Sequence, residues 1–375
     1  VTISDSSASV VIIGAGQAGL SVAYCLRTLN LAPGRDFVIF DRGPGPGGAW
    51  QHRWESLRLG AAHRVNDLPG MPEVGLSFDT ADQSRPAREV VAEYYRRYEE
   101  HFGLAVVRPV TVTSVADHDD RLVVSTSSEA YGERTTSTRV LVNATGTWGA
   151  PFIPHYPGAE TFKGHQVHTA NYVSAEQFAG QRVIVVGGGT SAIGFMLELD
   201  GIAAGLTWAA RRPIDWRHSE HLDLEGAVAA VTLQDQAARA GRALPSIVSG
   251  TGVPVTPRIR QGIESGLLVA RPMFTAVEPG GVRWSDGTLS AADVIIWASG
   301  FRPELRHLAA LKLRAKAGGY SVEAGTSVLD PRIFFAGYGP QASTIGANRA
   351  GRVTARRIMA KLAEPDAPEL PVPRG

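Results

Sequence analysis

With 375 residues the chain is long enough for two cored domains, and 44% hydrophobic against 19% charged residues is a globular balance that speaks against a disordered chain. The 37 Lys and Arg nearly cancel the 36 Asp and Glu, so no global field draws nucleic acid or an anionic membrane to the surface. The single cysteine, Cys25, excludes an internal disulfide, a Cys-x-x-Cys redox pair and any thiolate-rich metal site, and no apolar run approaches the roughly 20 residues of a bilayer span.

The first β-branched apolar run, Ser9 to Ile13, predicts a strand. It runs straight into the glycine turn Gly14-Ala-Gly16-Gln-Ala-Gly19 instead of ending at a leader cleavage site, so a cytoplasmic location is expected. An apolar-periodic helix follows, with Cys25 as a small buried side chain. The first glycine of such a turn permits a tight bend, the second admits a pyrophosphate against the backbone, and the third lets helix and strand pack closely. The amides around Gln17 and Ala18 would then face the anion at the helix N-terminus. Asp36 to Phe40 predicts the second strand, ending at Asp41, roughly 20 residues past the third glycine, where an acid hydrogen-bonds ribose hydroxyls and repels a 2′-phosphate. The first turn is therefore expected to take FAD, with Asp41 and Arg42 at its ribose end.

A Gly/Pro-rich loop, Gly43 to Trp50, comes next, with Gly48, Ala49 and Trp50 as expected cofactor contacts, followed by an irregular stretch to Pro86. Arg88 to His101 predicts an amphipathic helix, its Val90, Val91, Tyr94, Tyr95 and Tyr98 falling at helical spacing. Strands are predicted at Val110 to Val115, Arg121 to Ser125 and Thr138 to Val142. The last ends at Asn143-Ala144-Thr145-Gly146, a turn that returns the backbone to the first nucleotide, so Val110, Ala144, Thr145 and Gly146 join the expected FAD contacts.

A second unit repeats the plan. Arg182 to Val186 predicts a strand, Gly187-Gly-Gly189-Thr190-Ser191-Ala192 the turn and helix start, and Leu206 to Ala210 the next strand. That strand ends at Arg211-Arg212, where guanidinium groups suit a phosphate fork. The second turn is therefore expected to take NADPH, with NADH as the alternative. From Trp216 to Arg260 periodicity is weak. His218 and His221 lack the further ligands a metal site needs, so no metal is expected there, and Ser219 has no nucleophile elbow around it. Two late apolar strands, in Asp293 to Gly300 and Ile333 to Gly337, are expected to return to the first domain, with Ser299 and Gly300 near a nucleotide. Ile345 to Leu362 predicts a closing helix, and the Pro-rich tail after Glu364 reads as loop or disorder. The predicted fold is α/β, two Rossmann-like dinucleotide-binding domains with the NADPH domain (154–290) inserted into the FAD domain (1–153 and 291–375).

Between the turns, Phe162-Lys-Gly164-His-Gln-Val-His168-Thr-Ala-Asn-Tyr172 completes a pattern. With the Gly14 turn, the Gly48-Ala-Trp50 loop, the second turn and Ala298-Ser-Gly300-Phe, it resembles class B flavin-dependent monooxygenases, the flavin-containing monooxygenase branch, over nearly the whole chain. Tyr172 separates it from Baeyer–Villiger relatives, which usually carry Trp there. The stretches Trp54-Glu-Ser-Leu57-Arg58-Leu59 and Leu68-Pro-Gly-Met-Pro look like the compact bacterial members. The resemblance implies that hydride from the nicotinamide reduces FAD, dioxygen adds at the flavin, and the hydroperoxide passes an oxygen atom to a sulfide or amine. It implies a small-molecule substrate, dioxygen as co-substrate, no nucleic-acid or membrane partner, and a homodimer as the common assembly. Larger members place an Asn beside the flavin where this chain has Gly60, and Asn66 lies too far along to be its equivalent. Trp50, Arg58, Gly60 and Asn66 are the flavin-pocket candidates, and no acid or base is nominated. The alternative is an NADPH-dependent flavoprotein oxidase or reductase that releases peroxide.

Overall fold

The computed structural model describes residues 6–62, 65–217, 224–245, 252–342 and 344–365. Strand β1 (Ser6–Ile13) is buried on both faces, as befits a central parallel strand. Its side chains alternate between two cores: Val10 and Ile12 on one side of the sheet, Val11 and Ile13 on the other. Helix α1 (Gln17–Thr28) follows the glycine turn and buries Leu20, Val22, Ala23 and Leu26 against the first core. β2 (Phe37–Phe40) lies parallel to β1, with Phe40 opposite Ile13. Helix α2 (Ala87–Phe102) buries Val90, Val91, Tyr95, Tyr98 and Phe102, and ends at Gly103 in the left-handed conformation. The short β3 (Val106–Val107) adds to β2. β4 (Thr111–His118), β5 (Arg121–Ser128) and β6 (Gly132–Asn143) form a meander, and the far half of β6 pairs parallel with β1, bringing Asn143 opposite Ile13.

The second unit comprises β7 (His165–His168), β8 (Arg182–Val186), α3 (Thr190–Leu199) and β9 (Gly205–Ala210). Then come β10 (Trp216–Arg217), α4 (Leu224–Arg239), β11 (Val253–Pro254), α5 (Pro257–Glu264) and β12 (Ala270–Pro272). A three-stranded meander, β13 (Ala276–Glu278), β14 (Gly281–Arg283) and β15 (Leu289–Ala291), leads to β16 (Val294–Trp297). The sheet runs β12-β9-β8-β16-β7, parallel throughout. β8 repeats the logic of β1, sending Val183 and Val185 to one core and Ile184 and Val186 to another. Last come β17 (Val322–Glu323), β18 (Thr326–Ser327), β19 (Ile333–Phe335) and helix α6 (Thr344–Ala363). β19 pairs parallel with β6, completing the first sheet in the order β17-β18-β19-β6-β1-β2-β3, with β5 and β4 branching from β6.

Two expectations need correction. The strand in Asp293 to Gly300 does not return to the first sheet: β16 sits between β8 and β7, an interior position that suits its four fully buried side chains, and of the two expected strands only β19 makes the return. Apolar content cannot say which sheet a buried strand joins. The weakly periodic stretch after Trp216 contains the helix α4. Its apolar residues point both ways, with Ala230, Ala237 and Ala238 buried and Val228, Val231 and Leu233 exposed, which blurs the helical period. Ala238 joins the core built on Val11, Leu141 and Phe335, so α4 leans on the first sheet although it follows β8 and β9 of the second in the chain. His218, Ser219, Glu220, His221 and the tail beyond residue 365 lie outside the described residues.

Candidate functional site

Both glycine turns are built alike. The amide of Gly14 donates to the carbonyl of Phe40 at the end of β2 (2.7 Å), and that of Gly187 to Ala209 near the end of β9 (2.9 Å). Gly14 has φ +101° and a side chain there would lie 2.5 Å from the Ala144 carbonyl; Gly187 has φ +146° and would meet the Ala298 carbonyl at 2.3 Å. Ala144 and Ala298 in turn each donate to the last residue of the central strand, Ile13 and Val186, at 2.8 Å. Only glycine fits such a crossing. Gly19 packs so closely that a Cβ would fall 1.9 Å from the Gly14 carbonyl, whereas Ala192 at the matching place is accommodated and fully buried.

Gly16 and Gly189 cap α1 and α3 without a side-chain hydrogen bond, leaving the first-turn amides around Ala18 and around Thr190 and Ser191 to other acceptors. A Cβ on Gly189 would meet nothing within 4 Å, and one on Gly16 only the Gly48 Cα at 3.8 Å. Each is an open cradle at a helix N-terminus, which suits a pyrophosphate. Gly48, with φ +53°, would push a Cβ to 2.7 Å from the Gly16 Cα, so its loop covers the first cradle at backbone distance. Ala49 follows it, and Trp50 is buried in the first core. Gln17 reaches across to Asn348 on α6 (3.4 Å).

Asp41 accepts from the Ala15 amide (2.7 Å) and the Gly43 amide (2.8 Å), and Arg108 lies 3.5 Å away, itself forked onto Glu99 at 2.7 Å. Oδ2 of Asp41, whose one partner is the Ala15 amide, retains a lone pair for a ribose hydroxyl. Val110 is buried and its amide donates to the Asp41 carbonyl (2.9 Å). Arg42 pairs with Glu304 (2.8 Å) over Gly149, where a Cβ would sit 2.0 Å from the guanidinium. Thr145 donates to the Glu304 carbonyl (2.7 Å), and the Glu304 amide to Gly146 (3.0 Å). The Phe152 amide donates to Gly300 (3.0 Å), and Ser299 donates to the Phe152 carbonyl, so the two linking strands are sewn together beside both turns.

At the second turn, Arg211 and Arg212 are exposed and make no hydrogen bond or ion pair among the described residues. They follow closely on Ala209, whose carbonyl accepts from the Gly187 amide, and the Gly187 carbonyl in turn accepts from the Trp208 indole (2.7 Å).

The Phe162–Tyr172 pattern works as a coupling. A Cβ on Gly164 would strike the Asp293 carbonyl at 2.2 Å. His168 Nδ1 accepts from the Ala170 amide (3.1 Å), so Nε2 is assigned the proton and donates to Gly300 (3.0 Å). Burial lowers its pKa, keeping the ring neutral. Tyr172 donates to Glu198 on α3 (3.1 Å), and the same carboxylate accepts from the Trp54 indole and the Ser56 hydroxyl, both at 2.9 Å. Burial and that carboxylate raise the Tyr172 pKa, so it is a fixed donor.

Among the flavin-pocket candidates, Arg58 and Gly60 are exposed, and it is Leu59 between them that joins the core of Trp50. Gly60 donates to Gln83 (3.0 Å), where a Cβ would press at 3.1 Å. Asn66 is half-buried. Sequence reasoning missed Glu198, Arg53 and Trp148. Arg53 lies with its guanidinium 5.6 Å from the Trp50 ring and 4.8 Å from the Trp148 ring. Only the run of aromatic residues around these positions hinted at it. No three His, Cys, Asp or Glu side chains among the described residues group as metal ligands. No helix among them is long and apolar enough to cross a membrane. Cys25 is buried, and burial raises its thiol pKa to about 11.

Residues 11–235 match the family model described as pyridine nucleotide-disulphide oxidoreductase. A double mutant of the flavin monooxygenase from Stenotrophomonas maltophilia superposes with a TM-score of 0.79 at 33% identity, covering 96% of this chain and 100% of that one. The uncharacterized oxidoreductase CzcO of Bacillus velezensis is 25% identical over 79% of this chain and 81% of its own length. The indole-3-pyruvate monooxygenase YUCCA1 of Oryza sativa subsp. japonica is 33% identical over 50% of this chain and 44% of its own.

Proposed function

The chain belongs to the pyridine nucleotide-disulphide oxidoreductase family, among its flavin-containing monooxygenases, and from that membership we propose an FAD-dependent, NADPH-using monooxygenase that oxygenates a soft nucleophile, a sulfide or an amine. The disulfide chemistry in the family description has no counterpart here, since the lone Cys25 is buried in a helix with its thiol protonated.

The observation that carries the proposal is the pair of equivalent cradles, each a glycine-capped helix opening at the carboxyl end of a parallel strand. Gly14, Gly16, Gly19, Gly48 and Asp41 would hold FAD; Gly187, Gly189, Arg211 and Arg212 would hold NADPH. The chemistry FAD supplies when bound is two-electron uptake from NADPH and activation of dioxygen, one oxygen atom going to the substrate and the other, with protons, to water. The chain contributes placement. Asp41 disfavours a 2′-phosphate in the first cradle, while two free guanidinium groups favour one in the second. The Gly48 loop covers one side of the first cradle at backbone distance, and Trp50 behind it is buried in the core.

The second reading, an NADPH oxidase or reductase that releases peroxide, draws on Gly60, which offers no side chain to hold an oxygen species. Anaerobic mixing of the FAD-loaded protein with NADPH or NADH, then aeration with a sulfide, separates the readings. The proposal expects fast bleaching of the flavin by NADPH, slower bleaching by NADH, and sulfoxide accounting for most NADPH consumed. Peroxide in place of sulfoxide establishes the second reading.

A further inference from the structure

Arg53 follows the 3-10 turn Gly48–His52 and lies where that turn meets the 144–152 linker. Its guanidinium rests between Trp50 and Trp148. Trp148 stacks on Phe301 at 4.8 Å, and Phe301 meets His168 edge-on at 5.0 Å, so Arg53 stands at the seam of the two domains. Its Nε is buried with no acceptor, and no carboxylate among the described residues pairs with the guanidinium. Burial draws its pKa down to about 10, so it still carries charge at neutral pH.

The contrast with other inward-facing arginines is direct. Arg108 is forked onto Glu99, and Arg332 holds Asp330 and Asp117 at 2.7 and 2.9 Å. A desolvated cation without a counter-charge is unfavourable, and two ring faces offset only part of that. An incoming anion would complete the site. The first-turn amides at Gly16 already suit one pyrophosphate, and Arg211 and Arg212 suit a 2′-phosphate, so the coenzyme anions have places elsewhere.

We propose that Arg53 is a specificity-determining residue that pairs with a carboxylate on the substrate, whose apolar body lies against Trp50 and Trp148. The inference rests on the monooxygenase reading above and names its substrate class. The fork geometry of a guanidinium suits a carboxylate, and a low local dielectric strengthens the pair.

Calorimetric titration of the oxidised, FAD-loaded protein in the presence of NADP tests it without turnover, using methylthioacetate and its neutral methyl ester. The expected result is carboxylate binding tighter than ester binding by about tenfold or more. That preference should vanish in Arg53→Met with ester binding unchanged, and partly survive in Arg53→Lys. Equal binding of the two ligands by the unaltered protein overturns the proposal, and that comparison needs no variant to fold. A preference that persists in Arg53→Met also overturns it, as does loss of FAD or a raised NADPH KM with the preference intact, which would make Arg53 a coenzyme-phosphate ligand. Because binding is read before any chemistry, peroxide formation in place of sulfoxide would end the monooxygenase reading and leave this result standing.

Discussion

Gly48 shows how a single residue can carry a cradle. Its left-handed backbone and its approach to Gly16 both forbid a Cβ, and the loop between Gly43 and Trp50 hangs on it. Gly48→Ala should lift the loop from the first turn, so the purified variant should retain little flavin; full visible absorbance per protein chain would contradict this. His307 makes a different demand. Its Nε2 donates to the Asn143 amide oxygen (2.7 Å), and burial drives its pKa from 6.5 to about 4. The unfolded chain therefore takes up the proton first as pH falls. The stability His307 contributes is fully present above pH 6.5 and is lost as pH drops to about 4, by roughly 3 kcal/mol. His307→Gln should flatten that acid limb in denaturant titrations; an unchanged pH slope would refute it. The turn at Gly14, Gly16 and Gly19 and the strand end at Asp41 are legible in the sequence because they are local backbone geometry. Glu198 and Arg53 could not, because their roles come from partners far off in the chain or from the lack of one.

Helices α1 and α6 cross at the scale of elements. A Cβ on Gly351 would lie 2.9 Å from the Ser21 backbone, so the two helices touch nearly backbone to backbone. Next to this contact, Asn348 accepts from Ser21 (2.9 Å) and donates to the Asp67 carbonyl. Gly351→Ala should push α6 off α1, costing about 1–3 kcal/mol by overpacking and weakening flavin retention, since α1 carries the first cradle. Thermal unfolding with and without added FAD reads both effects, and an unchanged melting temperature would count against the account. Most elements are legible from period alone: α2 spans Ala87–Phe102 where Arg88 to His101 is expected, and β1, β8 and β9 fall where the β-branched runs lie. β16 and α4 are legible as apolar segments but not in their placement. A strand buried on both faces fits either sheet, and a helix apolar on two sides has no single face to assign.

Across the whole molecule, Glu198 on α3 ties Trp54 and Ser56, which follow the Gly48 turn, to Tyr172 more than a hundred residues on. Replacing it by Gln turns one accepting atom into a donor facing donors. Glu198→Gln should lower stability by about 1–3 kcal/mol and raise the KM for NADPH as the domains lose register. A variant with unchanged unfolding and unchanged KM would reduce this contact to packing. In the proposed function, the division of the two nucleotides rests on charge at two strand ends, Asp41 against Arg211 and Arg212. The double substitution Arg211→Ala with Arg212→Ala should raise the KM for NADPH by tenfold or more, as expected for losing charge-assisted phosphate contacts, and leave that for NADH nearly unchanged. The most direct measurement uses the FAD-loaded protein with NADPH, a sulfide and labelled dioxygen, following the label and the coenzyme together. Two coenzymes in adjacent cradles delivering electrons to oxygen predict one labelled sulfoxide for nearly every NADPH oxidised. NADPH oxidised with no label in the sulfide, or no NADPH oxidised at all, would contradict it.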